Sequence, residues 1–186
     1  MTCDTVKKCF LYDVSVTHQC DSMLRSIGLC LKDGGVLAVV MMRLASYSWE
    51  KRFIWRLAPY IKRLNEILTG FECHLEAELG RGLFLPHTQN IVIGAGAIVG
   101  ENVTIYNGVT LGGARREEGV DPKKARYPKV GNGVVIYTGA KLIGPIVVGS
   151  SAVIGANSVV LRDVPENMVA VGIPAKCRHP YNRLPT

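Results

Sequence analysis

The chain has 186 residues, 48% of them hydrophobic and 20% charged, enough for one core with a small accessory unit but too little for two large domains. Apolar content at this level excludes a largely disordered chain. A formal charge of +7, from 22 Lys and Arg against 15 Asp and Glu, suits a phosphate-bearing ligand as readily as a nucleic acid.

The apolar run Val36–Met42 is far shorter than the ~20 residues of a bilayer span, so no membrane span is expected. The N-terminus lacks the apolar stretch of a secretory signal. Cys3, Cys9, Cys20, Cys30, Cys73 and Cys177 are irregularly spaced with no CxxC, so neither a zinc site nor a disulfide framework is expected. A reducing cytoplasm is the expected setting.

Residues 1–34 carry weak signals, with one short helix expected around 22–31. A second helix is expected over Val36–Tyr47, after the break at Gly34 and Gly35. Residues 50–68 place Phe53, Ile54, Leu57, Ile61, Leu64, Ile67 and Leu68 at helical spacing. That stripe reads as helix-to-helix packing. Pro59 is expected to kink or split the helix, and Gly70 to stop it.

Beyond Gly70 the period becomes six. Apolar residues open each hexad: Cys73, Leu79 and Leu85, then Ile93, Val99, Ile105 and Leu111, then Val130, Ile136, Leu142, Val148, Ile154 and Val160. A small or aliphatic residue takes the fifth place, and glycine often the second. This is the hexapeptide repeat of a parallel β-helix, in which each hexad gives one short strand and one turn. Three hexads close a triangular coil, so these thirteen make about four coils. The phase slips by two residues between Leu85 and Ile93, and a charged excursion over 113–129 separates Leu111 from Val130. Stacked coils accept insertions only at corners, so both project as loops. The expected organisation is a small α-helical domain over 1–70, a repeat domain over 71–178 and a tail over 179–186.

His87 takes the third place of the hexad 85–90, an outward position, and a neutral imidazole suits proton abstraction near neutral pH. Glu72 lies fifteen residues before it.

Several segments together resemble the serine acetyltransferase family of hexapeptide-repeat acyltransferases: 70–80 (GFECHLEAELG), Pro86-His87, 109–113 (VTLGG), 126–131 (RYPKVG) and 171–176 (VGIPAK). The resemblance implies a left-handed parallel β-helix and a homotrimer or dimer of trimers, with acetyl-CoA bound between adjacent solenoids and no metal. It makes His87 the general base and puts Glu72 where the family keeps an aspartate that pairs with it. Gly112 and Gly113 fall where a backbone N–H faces the thioester carbonyl. Arg126 matches an arginine near the acceptor, and Tyr127 stands in place of a second, acceptor-contacting histidine. Thr138, Gly139, Ala140 and Ala156 match positions along the pantetheine arm, and Arg162 and Lys176 match basic positions near the cofactor phosphates. His74 is read as structural.

The implied activity is O-acetyl transfer to a hydroxyl, either L-serine or a sugar of a surface glycan. Tyr127 turns the expectation toward the sugar, because short relatives with Tyr-Pro in this loop resemble O-acetyltransferases of polysaccharide biosynthesis. A non-catalytic hexapeptide-repeat scaffold is the alternative, since repeats by themselves specify only a shape. A solenoid carbonic anhydrase would need three converging histidines, and only His74 and His87 lie in the repeats. A nucleic-acid surface would interleave basic and aromatic residues, which the sequence does not do.

Overall fold

A computed structural model describes residues 12–13, 32–51, 55–114 and 126–179 of the chain. The short helix expected over 22–31 lies outside the described residues.

Helix α1 (Gly34–Glu50) begins two residues earlier and ends three later than the pattern predicts, because the Asp33 side chain accepts from the Gly35 and Val36 N–H groups and caps it. The helix expected over 50–68 is corrected: the regular part is α2 (Ala58–Thr69), preceded by a short 3-10 turn at Trp55–Leu57. Pro59 sits in the first turn of α2, where its missing N–H costs no hydrogen bond, so it starts the helix instead of kinking it. Gly70 ends it in the left-handed conformation with φ 71°.

The packing face of α2 also differs from the expected stripe. Ala58, Asn65 and Thr69 are buried, whereas Leu57, Leu64, Ile67 and Leu68 are exposed. The physical reason is a polar hook: Asn65 Nδ2 donates to the Ala38 carbonyl of α1 at 3.0 Å, which turns that face inward. No described helix is long and apolar enough to cross a membrane.

Fourteen short strands follow among the described residues. The first face of the prism holds β1 (Phe71–Cys73), β3 (Ile91–Ile93), β6 (Thr110–Gly112), β9 (Lys141–Ile143) and β12 (Val159–Val160). The second holds β2 (Glu78–Leu79), β4 (Ile98–Val99), β7 (Lys129–Val130) and β10 (Val147–Val148). The third holds β5 (Thr104–Ile105), β8 (Val135–Ile136), β11 (Val153–Ile154), β13 (Val169–Gly172) and β14 (Ala175–Arg178). All pairings are parallel except β13 with β14.

The register explains the period of six. Cys73 pairs with Ile93, Ile93 with Leu111 and Leu111 with Leu142, so hexad-opening residues stack in a column inside the prism. Twelve of the thirteen are buried and Leu79 is partly so. Burying each such side chain contributes about 1.5–3 kcal/mol.

The coil count is corrected from four to five. Val164, expected as a fifth-place residue, bridges Val148 and opens a further row on the second face, and Ala170 pairs with Ile154 on the third. The last coil is therefore two residues short between Val160 and Val164, at the same corner as the long loop. A period counted strictly in sixes misses a coil that closes with a deletion.

Candidate active site

Two corners of the prism matter. At the entry corner the chain passes from the third face onto the first; at the exit corner it leaves the first face for the second.

His87 lies at the entry corner, in the two-residue slip between coils one and two, and is exposed as its phase requires. The next residues tie this turn down. Thr88 Oγ1 donates to the Thr69 carbonyl at 2.6 Å and the Asn90 N–H to the Gly70 carbonyl at 3.1 Å. The His87 ring faces Tyr106 at 6.5 Å between centroids, and Tyr106 stacks on Tyr137 at 5.2 Å with an 18° tilt. Sequence reasoning missed both tyrosines, although the repeat carried the signal. They follow Ile105 and Ile136, paired residues of the third face, and so share one outward column.

Thr138, Gly139 and Ala156 share this corner. Thr138 Oγ1 donates to Asn107 Oδ1 at 3.1 Å on the preceding coil. Gly139 has φ 75°, the left-handed region that favours glycine, and a methyl there would lie 2.1 Å from Asn157 Oδ1. Ala156 is exposed, while Ala140 is fully buried in the solenoid core and presents no side chain to the outer surface.

Glu72 is an exposed residue of β1 on the first face, paired with Val92 in the next coil. Among the described residues no hydrogen bond links its carboxylate to His87. His74 Nδ1 accepts from the Glu76 N–H at 3.2 Å, a local turn bond that agrees with a structural role.

Gly112, Gly113, Arg126 and Tyr127 lie at the exit corner. Gly112 ends β6, and its carbonyl accepts from the Gly144 N–H at 3.0 Å. Arg126 donates from Nε and Nη2 to the Ala114 carbonyl at 3.1 and 2.6 Å. The Tyr127 ring lies over Gly94 and Gly113. Residues 115–125, the tip of the expected loop, lie outside the described residues. Arg162 is exposed at this corner after β12, and Lys176 is exposed on the β13–β14 hairpin.

One chain therefore does not bring all the candidate residues together. His87 lies at the corner that leads into β3 and Gly113 at the corner that leaves β6; three or four residues at about 3.3 Å each separate the corners by roughly 10–13 Å. A cavity of about 530 Å³, lined by Arg43, Trp49, Glu76 and Leu79, opens beside α1 and the second face, where the first coil turns from β1 into β2. Cys73 is buried, which pushes its thiol up to about 12 and leaves it inert as a nucleophile. Among the described residues no three His, Cys, Asp or Glu converge as a metal site.

A triangular parallel solenoid with an exposed histidine in a phase slip and a long corner loop invites comparison with known proteins. A serine acetyltransferase of Helicobacter pylori is 44% identical over 142 residues, spanning 76% of this chain and 80% of the relative. The solved serine acetyltransferase of Neisseria gonorrhoeae, in complex with serine, superposes with a TM-score of 0.80 at 32% identity, covering 95% of this chain and 70% of that one. A serine acetyltransferase solved with CoA gives 0.79 at 34% identity, covering 95% and 71%. No family model matches the chain.

The winding is thus that of a left-handed β-helix, and the chain is an acyltransferase of the acetyl-CoA-dependent class. More narrowly, it belongs to the serine acetyltransferase family.

Proposed function

We propose that the chain moves the acetyl group of acetyl-CoA to the hydroxyl of L-serine, with His87 as general base, in a site completed between two chains of a trimer. The observation that carries this reading is the division of the candidate residues. The imidazole and the outward Thr138, Gly139 and Ala156 occupy the entry corner, whereas Gly113 occupies the exit corner. Packing three prisms side by side sets the entry corner of one against the exit corner of the next, the arrangement in which a thioester between them meets both. The two half-sites together supply what acyl transfer needs.

In that arrangement the His87 imidazole takes the hydroxyl proton as the serine oxygen attacks the thioester carbon. The Gly113 N–H holds the oxyanion. Collapse breaks the carbon–sulfur bond, and the departing CoA thiolate receives the proton from the imidazolium. Glu72 is assigned the orienting carboxylate of the dyad that the resemblance implies, a contact that the described structure does not make. Thr138, Gly139 and Ala156 line the pantetheine arm, and Arg162 and Lys176 serve the phosphates.

A sugar hydroxyl is the second reading. It is favoured by the Tyr106–Tyr137 stack beside His87, an apolar platform of a kind that a free amino acid does not need. The test is thiol release from acetyl-CoA with L-serine, free sugars and nucleotide sugars, with the products weighed. One added acetyl on serine, lost in His87→Ala, supports the first reading. Acetyl on a sugar alone supports the second. Equal release by both proteins removes His87 as the base and restores the scaffold alternative.

A further inference from the structure

His87 sits on an exposed turn, and among the described residues its imidazole makes no hydrogen bond. The contact that its ring does make is with Tyr106, 6.5 Å away between centroids and tilted by 55°. Tyr106 in turn stacks on Tyr137 at 5.2 Å, and both separations fall in the range of roughly 4.5–7 Å over which aromatic rings attract. The three rings form a row along the entry corner. Above Tyr137 the row stops, because the residue that follows Ile154 in the same column is Gly155.

Both tyrosines stand on fixed backbone. The Tyr106 N–H donates to the Ile136 carbonyl and the Tyr137 N–H to the Ile154 carbonyl, each at 3.0 Å. The turns behind them are laced from coil to coil. The Gly108 N–H donates to the Gln89 carbonyl at 2.9 Å, and the Gly139 N–H to the Asn107 carbonyl at 2.9 Å. The slip that carries His87 is thus bonded to the turn after Tyr106, and that turn to the one after Tyr137. An exposed histidine otherwise turns freely among its rotamers. Here a rigid aromatic wall stands against it.

We propose that Tyr106, backed by Tyr137, is a positioning residue that fixes the tilt of the His87 imidazole. This rests on the reading of His87 as the general base. A base abstracts a proton only when its nitrogen is within hydrogen-bond reach of the hydroxyl, so a ring that swings loses rate and not affinity. A carboxylate acts on an imidazole through a ring nitrogen, whereas an aromatic neighbour limits how the ring tilts, so this role is separate from that of the dyad. Tyr137 acts through Tyr106.

The test compares Tyr106→Ala, Tyr106→Leu, Tyr106→Phe and Tyr137→Ala in the full-length protein. The chain has four histidines, and with their ring carbons isotopically labelled the His87 signal is assigned by its loss in His87→Ala. That signal is read by nuclear magnetic resonance in each variant, beside turnover, acceptor KM and acceptor-free hydrolysis with acetyl-CoA and L-serine. Tyr106→Leu keeps the bulk that alanine removes, so a loss common to both is not a collapsed coil. Both are expected to move the His87 signal and to lower turnover and hydrolysis alike by roughly 10- to 100-fold, with KM changed less than about threefold. Tyr106→Phe, which keeps the ring, is expected to lose several-fold less than Tyr106→Leu, and Tyr137→Ala to move the same signal by a smaller amount.

An unmoved His87 signal in Tyr106→Ala overturns the proposal. So does a tenfold rise in acceptor KM with turnover kept, which makes the tyrosines acceptor contacts. Full activity in His87→Ala fails at a different point: it removes the general-base reading itself, and with it any rate for the tyrosines to control.

Discussion

Arg43 Nε donates to Asp13 Oδ2 at 3.0 Å, with only 6% and 4% of the two side chains exposed, and this ion pair fastens residue 13 and α1 to the first coil. Arg43 also donates to the Leu79 and Gly80 carbonyls at 2.6 and 2.5 Å, and Asp13 Oδ1 accepts from the Gly82 N–H. Replacing Arg43 by alanine leaves a buried carboxylate without its counterion and two carbonyls without their donor. Arg43→Ala is expected to lose about 3–5 kcal/mol of stability. For a chain of this length that lowers Tm by roughly 10 °C, read in a thermal melt.

The same pair sets a pH dependence. Burial is the largest influence on the Asp13 carboxyl and holds it above its ordinary value of 3.8, although the Arg43 charge and the hydrogen bonds from Arg43, Gly82 and Leu83 pull the other way. The folded chain therefore keeps this proton to a higher pH than the unfolded chain. Its contribution to stability is full below the unfolded value and is lost as pH rises through the folded one. Urea midpoints taken upward from about pH 4 are expected to fall less in Asp13→Asn than in wild type. A steeper fall in the variant would reverse the assignment.

A site shared between corners of different chains predicts complementation. His87→Ala and Gly113→Ala are each expected to be inactive alone, the second because its methyl meets the Tyr127 ring. In the proposed trimer, co-expression of the two gives mixed assemblies in which some sites have a wild-type entry corner facing a wild-type exit corner. Partial recovery of thiol release is expected. No recovery in mixed oligomers confirmed by mass would place the site within one chain.

Ile136 sits fully buried in the third coil, with Ile105 before it and Ile154 after it in the same column. Each coil of a solenoid leans only on its neighbours, so a void there weakens two interfaces at once. Ile136→Ala is expected to cost about 2–5 kcal/mol and Ile136→Val about 0.5–1.5, read as shifts in the urea midpoint.

The repeat was legible because one column of side chains repeats one chemical demand. A residue that opens a hexad must fill the same space above and below its counterparts, as Ile93 and Leu111 do. The fifth coil was hidden because Val164 arrives four residues after Val160, and a strict period gives it the wrong role. The face of α2 was misread for another reason. Apolar spacing marks a stripe, but Asn65 won the packing face through one hydrogen bond to α1. At the site, the outward setting of His87 followed from counting hexads. The separation of His87 from Gly113 needs the corners in three dimensions, and Tyr106 and Tyr137 carry no motif of their own, so only the stacking of the coils brings them beside His87.

The strand β14 runs back against β13, Gly172 pairing with Ala175 and Val169 with Arg178. The inner strands of each sheet pair on both sides with turns of the same winding, and a bare parallel edge is a template for another strand. A closing ribbon laid the opposite way interrupts that propagation. It carries exposed Lys176 and Arg178 along the rim of the third face, whose charges repel a like edge there.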